Sequence, residues 1–534
     1  MSLSRSVSEI LDRHVTLEVE SIDRLYLNLY IPILQQERGV AYFWRSHRGY
    51  QFASSRLMAT MSRKFVSAIE QFARRNEIDL ITFPKGRRKE EVAQEYLESS
   101  DIKEGVLFIG KAQEFHKVVR TVKRVNKETG KSYPWLAMSR APVNQYYFYC
   151  VDPDFGLFFI KLSSYFPYNG KVCLNGHEYA KCQLDQRGIG YEALENGFLS
   201  CEDPKALRRI CQGLSDTKIE RLVRKWFAKL PHPFPPKDRR AGYRYEISML
   251  QAEMALTQVF DRPVSGRAFF DQVIRENLDL GRPDHVQLIF DRRILPKTEA
   301  RFRTRVITHG VIPSVHLDYK SSRIKQYFKC GRALRTETVV NNTYDFGIKR
   351  KICNLSELRE MGLKANRRLL DVQRFSSDSW MSEDQFDHIT KPQVVGKQRA
   401  TAIRFGDHRA MALLAALLVF RLSPCGFRNR DLRDHVAPLL GWTPEQTTQG
   451  KMTYDLRRLR LHGLIERTSG YRYHVTNLGF RAAAFLTKAY GRLFKPAACG
   501  FADVDHAPTR DLRNAFRRID IAIEGFCREQ RIIA

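Results

Sequence analysis

Between Met61 and Arg75 the apolar residues Phe65, Ala68, Ile69 and Phe72 recur at helical spacing, which predicts an amphipathic helix. Downstream the pattern changes to short apolar runs. Ile78–Phe83 and Gly105–Gly110 read as strands, with the basic loop Lys85-Gly-Arg-Arg-Lys89 between them. Tyr146-Tyr-Phe-Tyr-Cys-Val151 and Leu157-Phe-Phe-Ile-Lys-Leu162 flank Asp152-Pro-Asp-Phe-Gly156, a turn sequence joining two strands as a hairpin. Lys171-Val-Cys-Leu174 adds another strand. Asn175-Gly-His-Glu178 then opens a helix to Gln186, with Asn175 as N-cap and Gly188 closing it. A strand over Gly197–Cys201 and helices over Pro204–Gly213 and Asp216–Leu230 follow. Pro231-His-Pro-Phe-Pro-Pro236 is a rigid connector, because proline lacks the N–H that helix and central strand require.

From Gly242 to Arg374 the pattern predicts a helix near Gly266–Asn277 and strands Val286–Arg292, Arg301–Thr308, Ser314–Lys329 (interrupted) and Ala333–Val340. A helix over Leu355–Gln373 ends this block. Past a polar stretch, His408–Leu422 is an apolar helix and Asn429 caps a second, Arg430–Leu440. A third helix runs from Thr447 to His462. Leu464–Thr468 and Tyr471–Val475 flank Ser469-Gly470 as a two-residue hairpin, and Asn477 caps a last helix. Three helices followed by a β-ribbon form the winged-helix arrangement, a helix-turn-helix variant. The expected class is α+β and multi-domain: mainly antiparallel sheets with helices, plus a C-terminal winged helix. The divisions are a mixed region 1–135, an α/β block 136–236, a basic α/β block 237–374, a linker 375–400, the winged helix 401–494 and a tail 495–534.

The 534 residues are 43% hydrophobic, the composition of a globular chain. The longest apolar run, Met411–Phe420, is too short for a membrane span of roughly 18 residues. Met1-Ser-Leu-Ser-Arg-Ser lacks the apolar core of a secretory signal. Ten cysteines are scattered without a Cys-x-x-Cys pair, and Cys173-x3-His177-x4-Cys182 is the nearest approach to metal spacing. These features predict cytoplasmic residence and no membrane partner.

Charge changes the picture more. Lys and Arg number 89 against 59 Asp and Glu, a formal +30. Residues 281–375 hold 21 basic and 9 acidic residues, and residues 401–494 hold 15 and 6. Charge gathered in two stretches points to a polyanion, DNA first and RNA as the alternative. On the third C-terminal helix Leu456 and Leu459 face inward, leaving Lys451, Thr453, Tyr454, Arg457, Arg458 and Arg460 for phosphates or guanine edges. Arg428, Arg430 and Arg433 on the second helix and Arg472 near the ribbon tip extend this surface, and Lys329 supplies a phosphate contact on the central sheet.

The central stretch 323–341 concentrates the candidate chemistry. Alternation puts Lys325, Tyr327 and Lys329 on one face of a strand, and Arg335 and Glu337 on one face of the next. An odd-length hairpin loop, with Lys329 opposite Arg335, brings the two sets together, and an even loop separates them. Together they offer a carboxylate, a phenol and three cations. Glu337 would serve as base or as ligand to Mg2+ or Mn2+, Tyr327 as nucleophile, and Lys325, Lys329 and Arg335 as stabilisers of developing phosphoryl charge. Asp318, in the acid-x-Lys tripeptide Asp318-Tyr-Lys320, is the second metal candidate, and Asp152 with Asp154 could share Mg2+ at their turn. No Walker A or dinucleotide fingerprint is present, so no nucleotide cofactor is expected.

Tyr327-Phe-Lys329 with Leu334-Arg-Thr-Glu337 resembles the Tyr-x-Lys … Leu-Arg-x-Glu pattern of replication initiators of filamentous phages and rolling-circle plasmids. The resemblance covers residues 323–341 and implies nicking and rejoining of DNA by a tyrosine. Those enzymes often carry a His-hydrophobe-His metal motif; here His316-Leu-Asp318 lacks the second histidine. Tyr165-Phe-Pro-Tyr-Asn169, Leu174-Asn-Gly-His-Glu-Tyr179, Gly426-Phe-Arg-Asn-Arg-Asp-Leu-Arg433 and Leu461-His-Gly-Leu-Ile465 resemble an uncharacterised family of prokaryotic hypothetical proteins, which implies no activity. The expectation is a DNA-binding protein of mobile-element or replication-initiator type, with strand cleavage as its chemistry; a non-catalytic DNA-binding regulator or RNA-binding scaffold is the alternative.

Overall fold

The computed structural model describes residues 6–277, 303–377 and 381–494 apart from 85, 126–127, 195, 310–311 and 444–445, with a few isolated positions beyond. The strand expected at Val286–Arg292 and the tail 495–534, save those isolated positions, lie outside the described residues. The protein is mixed α+β. It divides into two compact units, Met1–Arg275 with Pro283–Gln373 and Glu276–Arg282 with Arg374–Ala534.

The first unit is built on one sheet. Its strands are β1 (Val15–Tyr30), β2 (Leu80–Thr82), β3 (Gly105–Val125), β4 (Ser132–Asp152), β5 (Gly156–Ser163) and β6 (Gly170–Asn175). A separate ribbon of β7 (Tyr191–Leu194) and β8 (Gly197–Cys201) follows. The sheet then continues with β9 (Glu246–Phe260), β10 (Arg303–His309), β11 (Ile312–Tyr319), β12 (Ser322–Lys329) and β13 (Ala333–Val340). The eleven strands run in the order β10-β11-β12-β13-β9-β1-β6-β5-β4-β3-β2. Among the described strands only β2 and β3 pair in parallel.

This corrects the expectation of a sheet in each block. β1 pairs with β6 on one side and β9 on the other, and so fuses strands from all three expected regions. The expected boundary at residues 135/136 falls inside β4, and that at 236/237 inside the short helix Pro236–Arg240. The expected strand Ser314–Lys329 turns back at Lys320-Ser321 and is the hairpin β11–β12.

Period-two alternation gives the sheet two unlike faces. One carries Leu25, Leu27, Phe148, Ile160, Val172 and Met254, all buried. The helix Leu355–Ser377 packs on this face, where Asn366 Nδ2 donates to the Met254 carbonyl at 2.9 Å. The helix Asp216–Lys229 also packs here, with Trp226 meeting Phe158 edge-on. The opposite face carries tyrosines, cations and carboxylates, among them Tyr147, Lys161, Tyr26, Arg24, Glu253, Lys325 and Glu337. The Asp152 hairpin forms as expected, with Asp152 opposite Gly156. Its carboxylate accepts from Trp226 and Lys225 at 2.9 and 2.8 Å, and so pins a helix to the turn.

The second unit contains helices His408–Arg421, Asn429–Leu439 and Gln449–Leu461, the antiparallel ribbon β16 (Ile465–Thr468) and β17 (Arg472–Val475), and the helix Asn477–Ala489. The expected linker 375–400 is partly structured, since it holds the helix Glu383–Thr390 and the hairpin β14 (Gln393–Val395) and β15 (Gln398–Ala400). Leu413, Leu417, Val436, Leu456, Leu459 and Phe480 form the core. Two caps differ from expectation by one residue. The helix after the Gly426 turn begins at Asn429 itself, with Asp431 accepting from the Arg428 N–H at 2.8 Å. Thr476 rather than Asn477 caps the last helix, its hydroxyl accepting from Gly479 N–H at 2.9 Å. The ribbon loop has three residues, Ser469–Tyr471. No helix among the described residues is long and apolar enough to cross a membrane.

Candidate functional site

On the polar face of the sheet, the hairpin between β12 and β13 turns over Cys330-Gly331-Arg332. Its register is shifted from expectation: Lys329 opposes Ala333, Tyr327 opposes Arg335 and Lys325 opposes Glu337. The loop is odd, so the four side chains share one face. The Tyr327 hydroxyl donates to Glu337 Oε1 at 2.6 Å. Arg335 Nε stands 2.9 Å from the same oxygen, and Lys325 Nζ stands 2.5 Å from Oε2.

The network extends further than the hairpin. Arg335 NH2 donates to Asp23 Oδ2 at 2.7 Å, and NH1 donates to the Asn196 carbonyl. Asp23 sits where β1 slips register against β9, and the slip turns its carboxylate inward. His177 Nε2 lies 3.2 Å from Asp23 Oδ1. Asn175 holds His177 by accepting its backbone N–H at 2.8 Å at the start of the helix Gly176–Asp185. Arg335 and Glu337 are each only 1% exposed.

Electrostatics follow from this enclosure. Burial would raise the Asp23 carboxyl, but His177 and the Arg335 guanidinium bring it far below the carboxylate range. Burial and the Glu337 charge push the Tyr327 phenol far above the usual tyrosine range, so it stays protonated and donating. Burial also raises the neighbouring Glu253 carboxyl, against the pull of Lys325 and Arg24. The donors around Glu337 are two cations and a phenol O–H, a surrounding that repels a divalent cation. Asp318 lies two strands away, opposite Arg323 and 3.4 Å from its Nε. Glu337 and Asp318 are therefore not brought together in one cluster. Among the described residues no three His, Cys, Asp or Glu side chains gather as metal ligands would, the Cys173, His177 and Cys182 set included.

In the second unit the 449–461 helix buries Met452, Leu456 and Leu459 and exposes Lys451, Thr453, Tyr454 and Arg457. Beside it lies a cavity of about 780 Å³ lined by Arg399, Arg404, Trp442, Lys451, Tyr454 and Arg458, among others. The acids on its wall are occupied. Asp407 caps the helix His408–Arg421, and Asp455 pairs with Arg409 at 2.5 Å. Parts of the expected outer face are also engaged within the unit: the Tyr454 and Thr401 hydroxyls lie 3.1 Å apart, and the Thr453 hydroxyl accepts from Asn429 Nδ2 at 3.1 Å. Arg458 donates to the Thr401 carbonyl at 3.1 Å and Arg460 to Gln398 at 3.2 Å, so both tie the helix to the preceding chain. Arg472 donates to the Cys425 carbonyl at 3.2 Å, and Arg433 points to the Thr447 carbonyl at 3.5 Å. Arg428 is exposed, and Arg430, also exposed, lies 3.7 Å from Asp434.

Alternation along the chain located Tyr327, Glu337, Lys325 and Arg335 but missed Asp23, His177 and Asn196. Asn175 was legible as a cap, which put His177 at a helix start; nothing local pointed that helix at β1. Neither a family model, nor a curated protein, nor a solved structure matches the chain.

Proposed function

We propose that the protein binds nucleic acid, duplex DNA in the first instance, through its second unit used as a winged helix. The observation that carries this is the outer face of the 449–461 helix: Lys451, Thr453, Tyr454 and Arg457 are exposed beside a cavity to which Arg399 and Arg404 add charge. A helix of 13 residues is about 20 Å long, and a helix of ordinary diameter enters a major groove about 12 Å wide. Arg467, stacked 5.1 Å from the Tyr471 ring near the ribbon tip, extends the positive surface toward the flanking backbone. A mobile-element or replication-initiator role is compatible with such a reader of duplex.

Fluorescence anisotropy with a labelled duplex tests this reading. Binding falls steeply with salt, and Lys451→Ala/Arg457→Ala flattens the slope of log K against log salt by about 2, one per lost phosphate contact. An unchanged slope and affinity in that variant would sink the proposal.

A second reading, cleavage by Tyr327, draws on its 2.6 Å contact with Glu337. It requires Glu337 to take the phenolic proton, yet both carboxylate oxygens already face cations, Oε1 facing Arg335 at 2.9 Å and Oε2 facing Lys325 at 2.5 Å. The network is better read as the brace that holds β12, β13, β1 and the helix after β6 together. A covalent protein–DNA product lost in Tyr327→Phe would reverse this preference.

A further inference from the structure

On the polar face of the first unit lies a cavity of about 470 Å³ that shares no lining residue with the Tyr327–Glu337 network. Among its lining residues are Lys117, Lys171, Lys349, Arg350, Lys351 and His116, and none of the lining residues is Asp or Glu. The cations come from three places far apart in sequence: Lys117 from β3, Lys171 from β6, and the run 349–351 that follows β13.

Such an assembly is unfavourable alone, since five positive side chains around one cavity repel each other with no carboxylate among them. The backbone nonetheless fixes it. The Met249 N–H donates to the Arg350 carbonyl at 2.7 Å, and Lys351 bridges to Ser248, so the basic run is zipped onto the start of β9. Asn169 and Gln35 exchange amide hydrogen bonds at 2.8 and 3.0 Å and hold a neighbouring wall. Lys349 and Lys351 are exposed. His116 Nε2 is buried and has no hydrogen-bond partner among the described residues. Burial, with a smaller contribution from Lys161 and Lys171, pushes that imidazole down to about 4. A concave, pre-arranged cluster of cations beside an unpartnered imidazole is a receptor for concentrated negative charge.

We propose that this cavity binds a ligand carrying two or more closely spaced phosphate groups. A single phosphate contacts few of these side chains, whereas a polyphosphate chain reaches several at once. A volume of about 470 Å³ also lies within the roughly 300–1,000 Å³ of small-ligand pockets. The polyphosphate belongs either to a free nucleotide or to the phosphorylated end of a nucleic-acid strand. The proposal is independent of the winged-helix reading, since none of its residues lies in the second unit.

Calorimetric titration of the full chain with inorganic tripolyphosphate, and in parallel with orthophosphate, tests it. Tripolyphosphate binds at least about tenfold more tightly, and Lys349→Ala/Lys351→Ala weakens it by about tenfold or more, as expected for lost charge-assisted contacts. Lys451→Ala/Arg457→Ala, in the other unit, leaves that affinity unchanged even if duplex binding turns out not to depend on it. Tripolyphosphate also raises the melting temperature of the unmodified protein, a readout that does not depend on the variants folding. Equal affinity for the two anions, or full affinity in Lys349→Ala/Lys351→Ala, would overturn the proposal. Displacement of tripolyphosphate by a 5′-triphosphorylated oligonucleotide in the Lys451→Ala/Arg457→Ala background assigns the strand end as source. Displacement by ATP alone assigns the free nucleotide, and displacement by neither overturns the assignment to these two ligands.

Discussion

Arg335 is 1% exposed, and its guanidinium serves Asp23, Glu337 and the Asn196 carbonyl at once. Removing it leaves two carboxylates in the sheet without their shared cation. Arg335→Ala is therefore expected to lose about 3–5 kcal/mol in urea unfolding, against about 1 kcal/mol for Tyr327→Phe, which deletes one hydrogen bond. Comparable losses in the two variants would argue against a shared brace. A second prediction concerns acid. Burial lowers His116 and His232 from 6.5 to about 4, helped by Lys161 and Lys171 at the first and by Arg239 at the second. Both are neutral in the folded protein where the unfolded chain is protonated. Unfolding thus takes up as many as about two protons near pH 5, and stability drops as pH falls from 6.5 toward 4. Glu114 acts lower down: burial would raise its carboxyl, but bonds from Lys161, Lys89 and Tyr147 bring it to about 2, so its contribution fades below pH 4.5. Denaturation followed at pH 7.5, 5 and 4 checks the first window. At this scale part was legible: alternation pairs Lys325 with Tyr327 and Arg335 with Glu337 on the faces of their own strands. The loop parity that joins the two pairs, and the distant partners Asp23 and His177, came only with the fold.

Among the elements, the turn before the Asn429–Leu439 helix depends on one glycine. Gly426 has φ +66, and a Cβ there would lie 2.3 Å from the Tyr473 carbonyl, which Phe427 pairs across to the ribbon. Gly426→Ala is expected to lower the melting temperature of the second unit, with a cost of about 1–3 kcal/mol. Thr476→Ala removes the true cap of the last helix and costs about 1 kcal/mol, with lost helical circular dichroism as the readout. Helices and their approximate ends could be read from spacing and from Ser, Thr, Asn and Asp positions. Cap identity could not at Thr476-Asn477, where two adjacent residues compete and only the entry angle of the chain decides. β1 escaped altogether: Leu17, Val19, Ile22, Leu25 and Leu27 keep an alternating pattern broken by slips at Ile22/Arg24 and Tyr26/Leu27. The slip at Ile22/Arg24 inserts Asp23 into β1 and shifts its hydrophobic phase, which breaks the periodicity of this 16-residue strand; at Tyr26/Leu27 the extra residue lies on β9.

Across the whole molecule, two compact units predict two unfolding transitions in calorimetry. Leu27 is fully buried in the strand that joins both halves of the large sheet. Leu27→Asp puts a charge into that core and is expected to abolish one transition while the other persists. A single merged loss would count against separate units. The excess of positive charge and its two concentrations could be counted from composition, and so could the sequence of helix, helix, helix and ribbon near the C-terminus. These depend on residue type and on neighbours within a few positions. The fusion of the expected blocks into one sheet, the ring of partners around Arg335, the internal use of Arg458 and Arg460, and the basic cavity joining Lys117, Lys171 and Lys349–Lys351 arose only in three dimensions. Each brings together residues tens to hundreds of positions apart, and strand order and register, which local propensity leaves open, settle which of them meet.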